Sequence, residues 1–393
     1  MNPFRLGRLH AAMQQAGADA LIASSVENVY YATGFYSRSK KMVASVKVFA
    51  LIAPDTQDVW LALPVCDLPT AREAGVDMAR VIPYGTFYFA YAADQTGFSA
   101  DIETAAAKSV PDAAQALAKL IASAAPKAKK VALDYAGLDG DFLITVLRML
   151  PRYEFSNGLP QFQYARMVKE ESETAALERA AQIAEDAVQA TFQKLYAGIS
   201  EREAAALYTQ EITAHGAEPT FAVFTFGKRA AFVDTSNSAV NRLHCGDMIR
   251  ADVGCGVEGY QADMSRSAAL QKADPYMLQV YNAMREGQLA AIEAAAPGMP
   301  FSELYSLAMD KAHACGAPQY KRTHCGHSLG LNISEPPNIR PDCASLLEEN
   351  MVLCVETPYY EIGWGGVQVE DTILITKQGC RLLTKTDSQF VII

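Results

Sequence analysis

Four acidic side chains and one histidine in the C-terminal half of the sequence have the types and settings of metal ligands. Asp252 and Asp263 bracket a glycine-rich segment, while Glu356 and Glu370 each lie inside an apolar, β-branched run. A carboxylate buried in such a run is costly unless it is paired or metal-bound. His327, in a glycine-punctuated segment, adds an imidazole. This donor set suits manganese, iron or cobalt at least as well as zinc.

The segment 252–263 predicts a β-hairpin. Residues 248–253 are rich in apolar side chains and read as a strand, and glycines follow. A two-residue turn at Val257-Glu258 would set Asp252 directly opposite Asp263. Two facing carboxylates repel each other unless a cation lies between them, so the hairpin itself predicts a cation site.

The same segments carry two other patterns, each typical of a different kind of site. Gly254, Gly256 and Gly259 have the spacing of a dinucleotide-binding turn, which must be followed by a helix. Residues 260–267 have no helical period, which disfavours a nucleotide. Cys325 beside His327 suggests a zinc site with thiolate ligands, but the chain has no C-x-x-C pair to complete it.

Bulk composition excludes several classes of function. A chain of 393 residues predicts two domains. A net charge of −10 and a pI near 5.2 leave no basic surface for nucleic acid or an anionic membrane. The eight cysteines are scattered, which is typical of reduced thiols in the cytoplasm. We find no secretory signal and no apolar run long enough to span a membrane, and we predict a cytoplasmic protein.

Helix and strand patterns divide the chain near Gly158, into domains 1–158 and 159–393. In the first domain, helices at 3–16 and 111–124 alternate with strands at 20–23, 46–53, 59–63 and 130–133, which predicts an α/β fold. In the second, a capping box at Ser200 and Glu203 opens a helix. Further helices are predicted at 274–295 and 301–314, and strands at 351–357 and 367–376. Helices grouped with hairpins predict an α+β fold.

The order of the five ligand candidates, with Asp371 directly after the last of them, resembles the pita-bread metallopeptidase family. That family includes Xaa-Pro aminopeptidase, prolidase, methionine aminopeptidase and the non-metal relative creatinase. Residues 166–173 resemble the start of its catalytic domain, and residues 20–35 resemble the N-terminal domain of the prolidase and creatinase branch. The resemblance implies a creatinase-type α/β N-terminal domain, an α+β pita-bread catalytic domain and a homodimer.

The resemblance also implies a mechanism. Two divalent ions (Mn, Co, Fe or Zn) would be held by the five residues, with Asp263 and Glu370 touching both ions and Asp252, His327 and Glu356 completing the shells. A bridging hydroxide would attack a carbonyl carbon. Glu356 would accept the proton, as the catalytic residue. The substrate would be a short peptide cut before proline.

The sequence departs from the family at positions that hold substrate. Two family histidines are Thr235 and Ser334 here, and the arginine two residues before the last glutamate is Gln368. These three residues are the tentative substrate contacts. His244 and His324 lie near the vacated positions. Each either replaces a lost histidine or has an ordinary role, at the surface for His244 and bracing the His327 loop for His324.

Three hypotheses follow from the sequence. The first is a binuclear metallohydrolase resembling Xaa-Pro peptidases. The second is a small-molecule C–N hydrolase, similar to creatinase or ectoine hydrolase, or a lyase on the same scaffold, which the three departures favour and which would take a small amide. The third is a metal-free binding module, which the complete ligand set disfavours.

Overall fold

The computed structural model describes residues 2–54, 57–92, 96–385 and 387–393. It consists of two compact units, the first ending at Arg166 and the second being Met167–Ile393. Among the described residues there is no helix with the length and apolar character needed to cross a membrane.

The N-terminal unit is a six-stranded sheet with helices, as the α/β prediction requires. Its strand order is β4-β3-β2-β1-β5-β6; β2 is antiparallel to both of its neighbours, and the other pairs are parallel. Its elements are α1 (Pro3–Gln15), β1 (Ala20–Ala23), α2 (Val26–Thr33), α3 (Arg38–Met42), β2 (Phe49–Ile52), β3 (Val59–Pro64), α4 (Leu68–Glu73), β4 (Val81–Tyr84), α5 (Phe98–Ala106), α6 (Ala113–Ala124), β5 (Lys130–Leu133), α7 (Gly140–Met149), β6 (Glu154–Asn157) and α8 (Leu159–Met167).

The helix α8 accounts for where the first unit ends. The sequence placed the domain boundary after residue 158, where a Gly-Leu-Pro segment interrupts the pattern. In the structure, Arg8 donates hydrogen bonds to the carbonyls of Tyr164 (2.7 Å) and Ala165, and the Tyr31 hydroxyl donates to the Ala165 carbonyl at 3.0 Å. These contacts tie α8 to the N-terminal unit, and its residues up to Arg166 belong to that unit.

The C-terminal unit is built on a large sheet. The central order is β12-β11-β13-β16-β10-β8-β7, with β9, β17 and β18 paired to β8, β16 and β10. Its elements are α9 (Glu171–Phe192), α10 (Glu201–Ala214), β7 (Glu218–Phe226), β8 (Met248–Val257), β9 (Tyr260–Gln261), β10 (Met264–Ala269), α11 (Pro275–Ala294), α12 (Phe301–Ala314), β11 (Gly326–Ser328), β12 (Glu335–Asn338), β13 (Val352–Glu356), β14 (Tyr359–Glu361), β15 (Gly365–Val367), β16 (Glu370–Ile375), β17 (Cys380–Leu382) and β18 (Val391–Ile392). The α+β prediction is confirmed, and α10 begins at the predicted capping box.

The sheet has one apolar face and one polar face, because successive side chains of a strand alternate between the two faces. Ala251 and Val253, on either side of Asp252, are buried in a core with α9 and α10. Val355 and Ile373 are buried in a second core with α11 and α12. Both helix pairs therefore pack on the face opposite the predicted metal ligands.

The predicted hairpin register was wrong. The turn consists of Glu258 and Gly259, since Val257 pairs with Tyr260, and Asp252 lies opposite Ser265. Both turn residues have positive φ, 53° and 83°, which is the geometry of the two-residue turn that matches strand twist. Glycine at the second position favours this turn over the predicted one. No helix follows the glycines, which excludes the dinucleotide-binding geometry.

We predict that Gly326→Ala destabilises the protein by about 3 kcal/mol or more. Gly326 has φ +134°, and a Cβ there would lie 2.0 Å from the Cys354 carbonyl oxygen, so both backbone strain and overpacking apply. Gly363→Ala is the control, because Gly363 also has positive φ but no atom within 4 Å of the added Cβ. It should cost about 1–2 kcal/mol. Equal losses in denaturant unfolding would contradict the close approach.

Candidate metal centre

Three of the predicted ligands lie in one row across the polar face of the sheet. Asp252 on β8 pairs with Ser265 on β10, Ser265 pairs with Glu370 on β16, and Glu370 pairs with Glu356 on β13. The Ser265 hydroxyl lies 2.9 Å from Glu370 Oε2 and 3.3 Å from Asp252 Oδ1. The opposed carboxylates that the sequence predicted within the hairpin occur instead between Glu356 and Glu370.

The other two ligands belong to a second row beside the first. On β13, Cys354 pairs with His327 of β11 on one side and with Thr372 of β16 on the other. The Thr372 hydroxyl donates to the Asp263 carbonyl at 3.2 Å, and His327 Nε2 lies 3.5 Å from Asp263 Oδ2. Ligand atoms of Asp263, His327, Cys354 and Glu370 all lie within 4.8 Å of one another. Both rows therefore converge on one point.

All five predicted ligands line one cavity of about 530 Å³. Ser334 and Gln368, two of the tentative substrate contacts, also line it. Thr235 is not among the described residues that do so, although its neighbour Asp234 is. His324 reaches the cavity as well. His244 lies elsewhere, on an exposed turn, with Nδ1 3.3 Å from Asp247 Oδ2.

Burial and mutual repulsion shift the pKa values of the acidic groups of the centre. Burial and the Asp263 carboxylate raise the pKa of Asp252 to about 7. Burial, with Asp263 and Glu356 nearby, raises the pKa of Glu370 well above its ordinary value, and burial also raises the pKa of Asp263. Burial acts to lower the pKa of His327, but the hydrogen bond with Asp263 and the charge of Asp263 outweigh burial and raise that pKa to about 9. A cluster of this kind requires protons or cations.

Glu356 differs from the other three carboxylates. Burial acts to raise its pKa, but a hydrogen bond from His324 and the charge of Arg322 outweigh burial and lower it. His324 Nε2 lies 3.1 Å and Arg322 Nη2 3.3 Å from Glu356 Oε1. Glu356 therefore stays ionised at neutral pH.

The residues fit a bound divalent cation. Oε1 of Glu370 is buried and has no hydrogen-bond partner among the described residues. An ionised carboxylate oxygen left in this way is strongly unfavourable, and a metal ion is one of the few groups that satisfies it. The donor set of carboxylates, imidazole and a nearby thiol contains only groups that bind transition metals.

The opposite face of the sheet holds Glu370 in place. Arg266 Nη1 donates to the Glu370 carbonyl at 2.8 Å, and its Nη2 bonds Asp371 Oδ1 at 2.6 Å and Glu185 Oε1 at 2.9 Å. The Gln288 side chain also donates to Asp371, at 2.9 Å. Asp371, which follows the last ligand in the sequence, is thus part of the support for β16 and points away from the cavity.

The sequence reasoning missed several residues of the centre. Cys354 lies two residues before Glu356, and Arg250 lies two residues before Asp252. Ser265 lies two residues after Asp263. The strand period of two, which places i and i+2 on one face, was a signal that could have found all three. Arg322, Asp234 and Tyr360 come from loops or from another strand pair, and no local pattern marks them.

Two family models match the chain. The model of metallopeptidase family M24 matches residues 175–377, and the creatinase/prolidase N-terminal domain matches residues 5–168. The prolidase structure from Pyrococcus horikoshii has a TM-score of 0.80 at 25% identity, covering 97% of this chain and 98% of the other. The two-domain architecture expected from the resemblance is confirmed.

Relatives in sequence are similarly named. An Xaa-Pro dipeptidase from Pyrococcus horikoshii is 33% identical over 228 residues, which are 58% of this chain and 65% of that protein. The match to this relative therefore covers less than two thirds of its length. An Xaa-Pro dipeptidase from Lactobacillus delbrueckii subsp. lactis is 27% identical over 392 residues, with 99% of this chain and 98% of the relative covered. The chain belongs to metallopeptidase family M24, with a creatinase/prolidase-type N-terminal domain.

Proposed function

We propose that this protein is a metal-dependent dipeptidase that hydrolyses the amide bond before proline. The observation that carries the proposal is the convergence of four carboxylates, three of them buried and that of Asp252 half-buried, and one imidazole on a single cavity. The relatives' names, Xaa-Pro dipeptidase and prolidase, support the choice of substrate.

Two divalent ions would be held by Asp252, Asp263, His327, Glu356 and Glu370. Bound there, the ions would make a water molecule acidic enough to serve as nucleophile at neutral pH and would polarise the substrate carbonyl. Manganese, cobalt, iron or zinc would suit the donors.

Glu356 is the residue of this chain that would take the proton from the attacking water. Its lowered pKa keeps it ionised at neutral pH. Arg322 and His324 both contact its Oε1, which leaves Oε2 to accept a proton in the cavity. General bases work from such a position, within hydrogen-bond reach of the proton they remove.

The cavity wall would bind the substrate through an apolar surface. Phe221, Val223, Val233 and Ile333 line it together with the ring of Tyr360. A surface of this kind excludes water from the reacting bond and would pack against the pyrrolidine ring of proline. Ser334 and Gln368 are the polar contacts proposed here for the substrate.

A small-molecule C–N hydrolase is the second candidate. Ser334 and Gln368 are neutral, so at these two positions the cavity presents uncharged polar groups that could contact a small amide. A metal-free binding module is disfavoured by Glu370 Oε1, which is buried and has no hydrogen-bond partner in the part of the chain that the structure describes. The homodimer and the cytoplasmic location stay predictions.

Loss of a ligand is expected to abolish turnover. Protein loaded with manganese or cobalt should release proline from Xaa-Pro dipeptides, and Asp263→Asn or Glu370→Gln should lower kcat at least about a hundredfold, since even residues that merely orient metal ligands cost 10–100-fold. Glu293→Gln, on an exposed position of α11, is the matched control and should keep wild-type activity. Wild-type rates in either ligand variant would refute the proposal.

If metal-loaded wild-type protein releases no proline, the small-amide hydrolase becomes the better proposal. Release of amine from creatine-like or other small amides would then be measured with the same two variants. Both functions need the metal centre, so the two variants should be inactive in either case. The substrate that the wild-type protein hydrolyses then distinguishes the two functions.

The metal-free protein is expected to melt at a higher temperature near pH 6 than near pH 8. A carboxyl with a raised pKa, such as Asp252 at about 7, binds an extra proton on folding, so stability rises as pH falls through that pKa. His327, raised to about 9, acts in the same direction, since its contribution is lost as pH rises through 9.

The measurement is thermal unfolding of chelator-treated protein across this pH range. Added manganese should raise the melting temperature more at pH 8, because protons compete with the ion for the same carboxylates. Glu370→Gln, which removes one titrating group, should flatten the metal-free profile. A higher melting temperature at pH 8 in the metal-free protein would show that these carboxylates are not buried as described.

A further inference from the structure

A buried arginine lies beside the metal centre and has no part in the function proposed above. Arg250 is fully buried on β8, two residues before Asp252, so both side chains are on the same face. It pairs with Ser267 on β10, and the Ser267 hydroxyl exchanges hydrogen bonds with the backbone of Gln368. Arg250 and Gln368 thus lie in one row next to the carboxylate row.

The Arg250 guanidinium is held by surrounding protein groups. Nη1 donates to Gln368 Oε1 at 2.8 Å and to Asp252 Oδ2 at 3.2 Å, while Nη2 donates to the Phe232 carbonyl at 2.7 Å. The guanidinium carbon lies 5.3 Å from the centre of the Tyr360 ring. Its planar set of donors therefore fixes several groups at once, and the residue does not line the cavity.

These contacts decide the orientation of the Gln368 carboxamide. Oε1 accepts from Arg250 and also from the Tyr360 hydroxyl at 3.2 Å. Burial raises the pKa of Tyr360, which keeps that hydroxyl a donor. A flipped amide would set its NH2 group against two donors. Nε2 is therefore held on the side of Glu370, 3.5 Å from Oε2.

The NH2 group of Gln368 is a fixed, uncharged donor at the cavity wall. Gln368 is only 2% exposed, and its NH2 group faces the carboxylates of Glu370, with Oε2 at 3.5 Å, and of Asp252. A contact of 3.5 Å is too long to satisfy an N–H group, so the amide keeps capacity for a further hydrogen bond. We propose that Gln368 donates a hydrogen bond to a carbonyl or carboxylate oxygen of the substrate, and that Arg250 is the residue that positions it. The inference deepens the proposed function, on which it rests for the identity of the substrate.

The test uses Gln368→Glu, which keeps an oxygen for Arg250 and Tyr360 and replaces the donating NH2 by a second acceptor. The ligand is a ketomethylene isostere of an Xaa-Pro dipeptide, in which carbon replaces the amide nitrogen, titrated by calorimetry into protein saturated with manganese. We expect its Kd to rise about tenfold or more, because the new carboxylate oxygen of the variant would repel the ligand oxygen that the NH2 group binds in the wild-type protein. Gln378→Glu, the same change on an exposed turn after β16, should leave the Kd unchanged.

Manganese binding without ligand is measured in the same variants. A ligand Kd that is unchanged in Gln368→Glu overturns the inference, as does a loss that merely follows weaker manganese binding. Wild-type protein that fails to bind the isostere overturns the proposed function and this inference together. Wild-type protein that binds it no better than Gln368→Glu overturns the inference alone. Two further isosteres, one ending in a carboxamide and one in an unsubstituted ring, both lack the terminal carboxylate. If Gln368 binds that carboxylate, the difference in Kd between wild-type protein and Gln368→Glu should disappear with these analogues; if Gln368 binds the carbonyl oxygen, the difference should remain.

The positioning role of Arg250 is tested by a double-mutant cycle. Arg250→Lys keeps the charge next to Asp252 but lacks the planar fork whose two terminal nitrogens reach Gln368 and the Phe232 carbonyl at once, so the Kd of the isostere should rise severalfold. In the double variant with Gln368→Glu the two effects should not add, because Arg250 acts on the ligand through Gln368. Tyr360→Phe, which removes one donor and keeps the ring, should give a smaller rise. Additive losses for Arg250→Lys would show a separate structural role and overturn this part.

Discussion

The structure depends on the mutual repulsion of four carboxylates that lie together on one face of a sheet, three of them buried and that of Asp252 half-buried. Glu356 and Glu370 face each other directly across a strand pair, and Asp252 shares the Ser265 hydroxyl with Glu370. Such groups cannot all be ionised in a low-dielectric setting unless positive charge is close by. The raised pKa values of Asp252 and Glu370 are the direct expression of that constraint. A site built in this way is stable only with protons or with cations.

The rest of the C-terminal unit supplies what the carboxylates need. The opposite face of the sheet is apolar and packs against two pairs of helices, and this burial offsets the cost of the polar face. Behind Glu370, Arg266 joins its carbonyl to Asp371 and Glu185. A buried ion pair of this kind contributes little net stability, but it restricts the position of the strand. Four of the five candidate ligands lie on strands of this sheet, Asp263 being the exception, which suits a site that must meet a metal's geometry.

The candidate metal ligands and the proposed substrate contact Gln368 lie on different rows of the same sheet. The ligands occupy two adjacent rows, while Gln368 and Arg250 form a third row beside them. The third row touches the first, because Arg250 donates to Asp252 Oδ2 at 3.2 Å and Gln368 Nε2 lies 3.5 Å from Glu370 Oε2. A change in the third row therefore also alters the surroundings of the candidate ligands. Arg322 and His324 reach Glu356 from a loop, where exchange is easier.

Local patterns in the sequence determined most of the elements and the ligand set. Helices α6 and α12, the strand β1 and the capping box of α10 follow their predicted bounds closely, because propensity and capping act over a few residues. Alternation along β13 and β16 placed Glu356 and Glu370 on a buried strand face. Residue type and setting thus mark Glu356 and Glu370 as candidate ligands, whereas the full set of five candidates also rests on the order of residues that the chain shares with the family.

Only the tertiary structure decided which groups meet. The turn at Glu258-Gly259 moved Asp252 out of register with Asp263, and the pairing of β13 with β16 created the opposed carboxylates. His324 reached the cavity while His244 did not. Register and loop placement depend on packing between segments that are distant in the sequence, and the chain carries no local signal for such contacts.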